Sequence, residues 1–163
     1  MYNIHMQNFY DKIDEIILKD NRYKTDAYEF VMRALWFTQA KLKKQGHISG
    51  RELAHGIKDF ILEQYGPMAK AVLGHWGIKG TEDFGEIVFN MVEKGLLNKT
   101  EEDKKSDFKG IYDFDEAFDI FKNNSFEKLG AGQKRQAWNQ KPKFSAPKLT
   151  KAFPKNPGNK NLN

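Results

Sequence analysis

The chain has no cysteine among its 163 residues. That excludes a disulfide framework, a thiolate metal site and a cysteine nucleophile. No stretch approaches the roughly 18 consecutive apolar residues of a membrane span. The opening Met1-Tyr2-Asn3-Ile4-His5-Met6 lacks the basic start and apolar run of a signal peptide, so the expected location is the cytoplasm. Acid is scarce in one region only: between Lys122 and Asn163, Glu127 is the single carboxylate side chain, set against 10 Lys/Arg. Met1 to Phe121 holds 17 Lys/Arg and 21 Asp/Glu, a net of −4, whereas the last segment carries +9. The +5 of the whole chain therefore describes a tail and not a domain.

This division predicts a domain over residues 1–121, long enough at about 120 residues for one real core, and a basic tail over 122–163. Of the five prolines, Pro142, Pro147, Pro154 and Pro157 lie in that tail. Its Asn, Gly, Lys and Pro content offers too little apolar area to offset ordering entropy, so it is expected to be disordered alone. A short helix between Ala131 and Trp138 is compatible with its residues.

The domain reads as mainly α-helical. Phe9, Ile13, Ile16 and Ile17 have helical spacing over Gln7 to Lys19. A second helix starts near Thr25 or Asp26, carries Tyr28, Val31, Leu35 and Leu42, and stops before Gly46. Ser49-Gly50-Arg51-Glu52 is a capping box opening a third helix, with Leu53, Ile57, Phe60 and Ile61 inward. Pro67 suits the first position of a short fourth helix ending at Trp76. Thr81 is placed to cap a fifth, with Phe84, Ile87, Val88, Met91 and Val92 as its buried stripe and Gly95 as its stop. Leu96 to Lys99 and Phe108 to Tyr112 then read as a β-hairpin around a charged turn. Helices four and five form a helix-turn-helix, and the following hairpin makes the whole winged-helix-like. Asp115 to Phe121 completes the body as a short helix.

Several spaced runs carry a family resemblance. They are Arg22-Tyr23, Ala27-Tyr28, Phe30-Val31, Ser49-Gly50, Glu52-Leu53, Tyr65-Gly66-Pro67-Met68-Ala69, Trp76-Gly77, Thr81-Glu82-Asp83, Gly85 to Asn90, and Tyr112-Asp113-Phe114. In these the chain, over roughly Phe9 to Phe121, resembles a small bacterial family of hypothetical proteins labelled the Minf family. The resemblance implies a compact bacterial domain and brings no established activity with it. The tail lies outside it.

For chemistry, His47, Glu52, His55 and His75 form the sole cluster of interest. Glu52-x-x-His55 has the spacing used in carboxylate-bridged di-metal bundles, but such sites need two such pairs and further carboxylates. Glu52 is accounted for as a cap and His55 as a surface or half-buried side chain. No phosphate loop, nucleophile elbow or His-Glu-x-x-His motif occurs, so neither catalysis nor a metal or cofactor is expected. The fifth helix opens with Thr81-Glu82-Asp83, acids that would face phosphates if it entered a DNA groove. The expected functional residues are in the tail: Lys134, Arg135, Trp138, Lys141, Lys143, Phe144, Lys148, Lys151, Phe153 and Lys155. Their lysines suit phosphates, and their aromatics suit stacking on exposed bases. RNA or a ribonucleoprotein is the expected partner. The alternative is a protein–protein adaptor that uses the acidic domain, and an orphan metal-dependent enzyme ranks third. No acyl or prenyl motif and no sustained amphipathic helix connects the tail to a membrane.

Overall fold

The computed structural model describes residues 2–119. Among them the regular structure is helical throughout: α1 (Tyr2–Lys19), α2 (Thr25–Leu42), α3 (Gly50–Tyr65), α4 (Ala69–His75), α5 (Thr81–Glu93) and α6 (Phe114–Phe118). Short 3₁₀ turns occupy Gly66–Met68 and Lys105–Phe108. No described helix is long and apolar enough to cross a membrane. Lys122 to Asn163, with its expected short helix, lies outside the described residues, and so does Phe121.

α2 is the central element, packing on α1, α3 and α5. Its apolar residues are not confined to one stripe. Tyr28, Phe30, Val31, Met32 and Ala34 are all buried, as a helix with neighbours on several sides requires. α3 approaches it closely because Gly56 faces Thr38, leaving no space for even a methyl group between them. An aromatic column continues the contact: Phe37 to Phe60 at 5.0 Å, Phe60 to Phe30 at 5.2 Å, and Phe30 to Trp76 at 5.1 Å. Trp76 meets Tyr65 edge-on at 5.7 Å and is a core residue.

The helix ends follow local chemistry. Ser49 and Glu52 form the expected capping box on α3, each side chain accepting from the other's backbone N–H. α5 ends at Glu93 and is closed off by Gly95, whose φ of +66° lets the Leu96 N–H reach back to Met91 O at 2.8 Å. α2 stops at Leu42, before Gly46 as expected, with Lys43 in the left-handed region at φ 53° and the Lys44 N–H bonded to Gln39 O. α1 starts at Tyr2, ahead of the expected Gln7. Thr81 is not the cap of α5: Gly80 takes that place, and the Asp83 carboxylate accepts from the N–H groups of Lys79 and Gly80 at 2.7 and 3.1 Å. Thr81 is instead buried, and its Oγ1 accepts from the Ile111 N–H.

The β-hairpin is not formed, and with it the winged-helix reading fails. No strand occurs among the described residues. The backbone donors of the expected strands go elsewhere: the Leu96 N–H closes α5 and the Lys109 N–H goes to Ser106 O at 3.0 Å. In the turn between them, the Thr100 N–H goes to Asp103 at 2.6 Å and the Lys104 N–H to Asp107 at 2.8 Å. The Gly110 N–H reaches Glu82 on α5 at 3.1 Å. Phe108 is the anchor of this segment. It sits against both Gly50 and Gly85, where an added Cβ would lie 2.8 and 3.1 Å from its ring. The two helices of the expected helix-turn-helix pack mainly on different elements: α4 lies on α3 and α6, whereas α5 lies on α2 and the 105–108 turn.

α6 begins at Phe114 because the Asp113 carboxylate accepts from the N–H groups of Asp115 and Glu116. It lays Phe114 and Phe118 in the core, with rings 5.1 Å apart.

Candidate functional site

The ten tail residues expected to form the nucleic-acid contact, Lys134, Arg135, Trp138, Lys141, Lys143, Phe144, Lys148, Lys151, Phe153 and Lys155, lie outside the described residues. The body supplies the other candidates, and the structure does not bring its histidines together. His47 Nε2 lies 3.2 Å from Asp103 Oδ1. His55 is exposed on α3 beside the Tyr112 ring at 6.0 Å. His75 Nε2 lies 3.1 Å from Lys24 Nζ. Glu52 is spent on the cap and on Lys44. These contacts, the Lys44 hydrogen bond foremost, pull its pKa down to about 2. Among the described residues no three His, Asp or Glu side chains are grouped as a metal ion needs.

An open cleft of about 720 Å³ lies between the α2–α3 connection and the 99–107 loop. Lys44, His47 and Ser49 line one side of it, and Glu101, Glu102, Asp103 and Asp107 the other. Its polar groups serve the loop. Asp103 Oδ2 accepts from the Thr100 N–H and hydroxyl while Oδ1 faces His47. The cleft's two hydroxyls donate to neighbouring carboxylates, Ser49 to Glu52 at 3.0 Å and Thr100 to Asp103 at 2.9 Å, contacts that close the α3 cap and the loop.

The densest polar cluster is a seam between the α1–α2 turn and α5, which the sequence patterns did not reveal. Arg22 Nε and an Nη donate to the two oxygens of Asp20 at 2.8 and 2.7 Å. The same Nη reaches Glu86 at 2.9 Å. Asn90 donates to Asp20 at 3.1 Å and to the Tyr28 hydroxyl at 3.3 Å. Lys105 joins Glu86 at 3.2 Å. The Tyr23 hydroxyl donates to Asp83 at 2.6 Å. Arg22 holds the Asp20 carboxyl well below the usual carboxylate range and lowers that of Glu86. Burial pushes the Tyr23 hydroxyl up, and its bond to Asp83 adds to that shift. Bidentate pairing and mutual satisfaction make this a structural clamp. The seam explains the acids at the front of α5: Asp83 caps the helix and accepts the tyrosine hydroxyl's hydrogen bond, and Glu86 receives two cations. One sequence signal points here, the four-residue spacing of Glu82, Glu86 and Asn90 along one flank of α5, but no local pattern names Arg22 as their partner.

Comparison with protein-family models, curated proteins and solved structures returned no match to this chain.

Proposed function

We propose that the protein is a non-catalytic accessory binder that engages RNA or a ribonucleoprotein through its basic C-terminal segment. The observation that carries the reading is the charge division, −4 over Met1 to Phe121 against +9 over Lys122 to Asn163. A segment of that charge, with Trp138, Phe144 and Phe153 set among its lysines, combines phosphate attraction with base stacking. The body supports RNA over duplex DNA in one respect. The opening turn of α5 carries Glu82 and Asp83, a poor surface to lay in a major groove.

The adaptor reading keeps one specific support, the acids Glu101 and Glu102, on the rim of the 99–107 loop where they are exposed. A binding titration decides between the two. The full chain and a version ending at Phe121 are titrated with labelled single-stranded RNA, and both are used as bait with and without nuclease. RNA binding by the full chain alone supports the proposal. Nuclease-resistant capture of one protein partner by both versions, with no RNA affinity, replaces it by the adaptor.

A further inference from the structure

Lys24 and His75 meet across two turns that the fold locks together. The Lys24 N–H donates to Trp76 O at 3.2 Å. Gly77 lies so near the Arg22 carbonyl that an added Cβ would stand 2.1 Å from its oxygen. Lys24 directly precedes α2, and its own carbonyl accepts from the Ala27 N–H at 3.0 Å. His75 closes α4 beside the buried Trp76. Both side chains thus start from a fixed backbone, and both residues are exposed. Across the junction Lys24 Nζ comes to 3.1 Å from His75 Nε2.

The partner is what sets this lysine apart. At the end of α2, Lys41 donates to Asp59 and Lys44 to Glu52, and Lys70, Lys94 and Lys105 likewise sit on carboxylates. A carboxylate favours the ammonium form, which has no lone pair and is not a nucleophile. Among the described residues Lys24 is the one lysine whose amine meets a nitrogen base. An ammonium only donates, so Nε2 is the acceptor and the imidazole is neutral, with its proton on Nδ1. An amine with a neutral imidazole in hydrogen-bond reach has the layout of a nucleophile and its base.

We infer that Lys24 is a site of stoichiometric acylation by an activated acyl group, an acyl phosphate or an acyl thioester, with His75 as the base. It is independent of the RNA-binding reading. The ammonium first gives one proton to water. The free amine then attacks the acyl carbon, and as the C–N bond forms His75 Nε2 takes a second proton from the nitrogen. The C–O bond of an acyl phosphate, or the C–S bond of a thioester, breaks. Phosphate or thiolate leaves with the bonding pair, and the imidazolium returns its proton to water. The product is a neutral amide, so the junction loses one positive charge.

The full chain is incubated with acetyl phosphate and, in a separate arm, with acetyl-coenzyme A. Peptide mass spectrometry follows the occupancy of each lysine with time. Lys24 should acetylate about tenfold faster than Lys79, an exposed lysine with no base beside its amine among the described residues. His75→Gln should bring Lys24 down to the rate of Lys79, whereas His55→Gln should leave it unchanged. An unaltered melting temperature in His75→Gln assigns the loss to the missing base and not to the fold. The preference for Lys24 should also vanish at about pH 5, where an imidazole carries a proton of its own and cannot accept another. Acceleration in one arm identifies the donor class. Equal rates at Lys24 and Lys79 in both arms overturn the inference. So does a Lys24 rate that His75→Gln leaves unchanged, or a preference that survives in acid.

Discussion

Thr38 and Gly56 meet where α2 lies against α3, and a Cβ built on Gly56 would stand 1.8 Å from Thr38 Oγ1. That hydroxyl already donates to Ala34 O at 2.7 Å within its own helix. The pair sets how closely these two helices approach. Gly56→Ala gains about 1 kcal/mol of helix propensity, yet the overpacking should cost more, a net loss of about 1–3 kcal/mol. Thr38→Ala should recover part of it. Urea unfolding of the two single variants and the double variant measures the coupling, and simple additivity would show that the contact does not limit the approach.

Phe108 carries the segment that replaces the expected hairpin. Its ring is 3 % exposed and is held between two glycines. Phe108→Ala should cost about 3–5 kcal/mol, and Gly85→Ala should also destabilise, because its new methyl would stand 3.1 Å from both Lys105 O and the Phe108 ring. Hydrogen exchange should show the amides of Thr100 to Tyr112 losing protection ahead of those of α2 in both variants. Unchanged protection of that segment would contradict the anchoring role.

Acid should loosen the seam between the α1–α2 turn and α5. Asp20 and Glu86 have carboxyl groups lowered by Arg22, and Glu52 is lowered to about 2. A carboxyl depressed in the folded state contributes stability that is fully present above its unfolded value of about 4. That stability is lost as pH falls through the folded value. Stability should therefore be level near neutrality and decline from about pH 4 toward pH 2. Asp20→Asn should lower it by about 1–2 kcal/mol at pH 7 and flatten the acid limb. A variant as acid-sensitive as the native chain would rule out Asp20 as a source of that limb.

The C-terminal segment has a quantitative signature of its own. With about half of its ten basic residues on phosphates, log K should fall with log salt at a slope of roughly −3 to −4. Replacing Trp138, Phe144 and Phe153 by Ala should weaken binding by about 1–3 kcal/mol for each base left unstacked, with the slope nearly unchanged. Charge sets the slope and stacking does not. A slope that changes with the aromatic variants would overturn that separation.

Much of the helical order is written locally. The capping box at Ser49 and Glu52, the stop at Gly95 and the apolar spacing of α1, α3 and α5 depend on residues a few positions apart, so the sequence determines them unaided. The charge division between body and tail is equally a property of the sequence alone. The segment after α5 departs from its sequence pattern for a physical reason. Alternating apolar and polar residues allow a hairpin, but strand pairing needs free backbone donors. Those of Leu96, Lys109, Gly110 and Ile111 are taken by Met91 O, Ser106 O, Glu82 and Thr81. The partnership of Arg22 with Glu86, 64 residues apart, and the neutralising of Glu52 and Asp59 by the end of α2 are decided by tertiary structure only. They depend on which helix faces come together, and the spacing of residues along one helix does not specify which face of another it will meet.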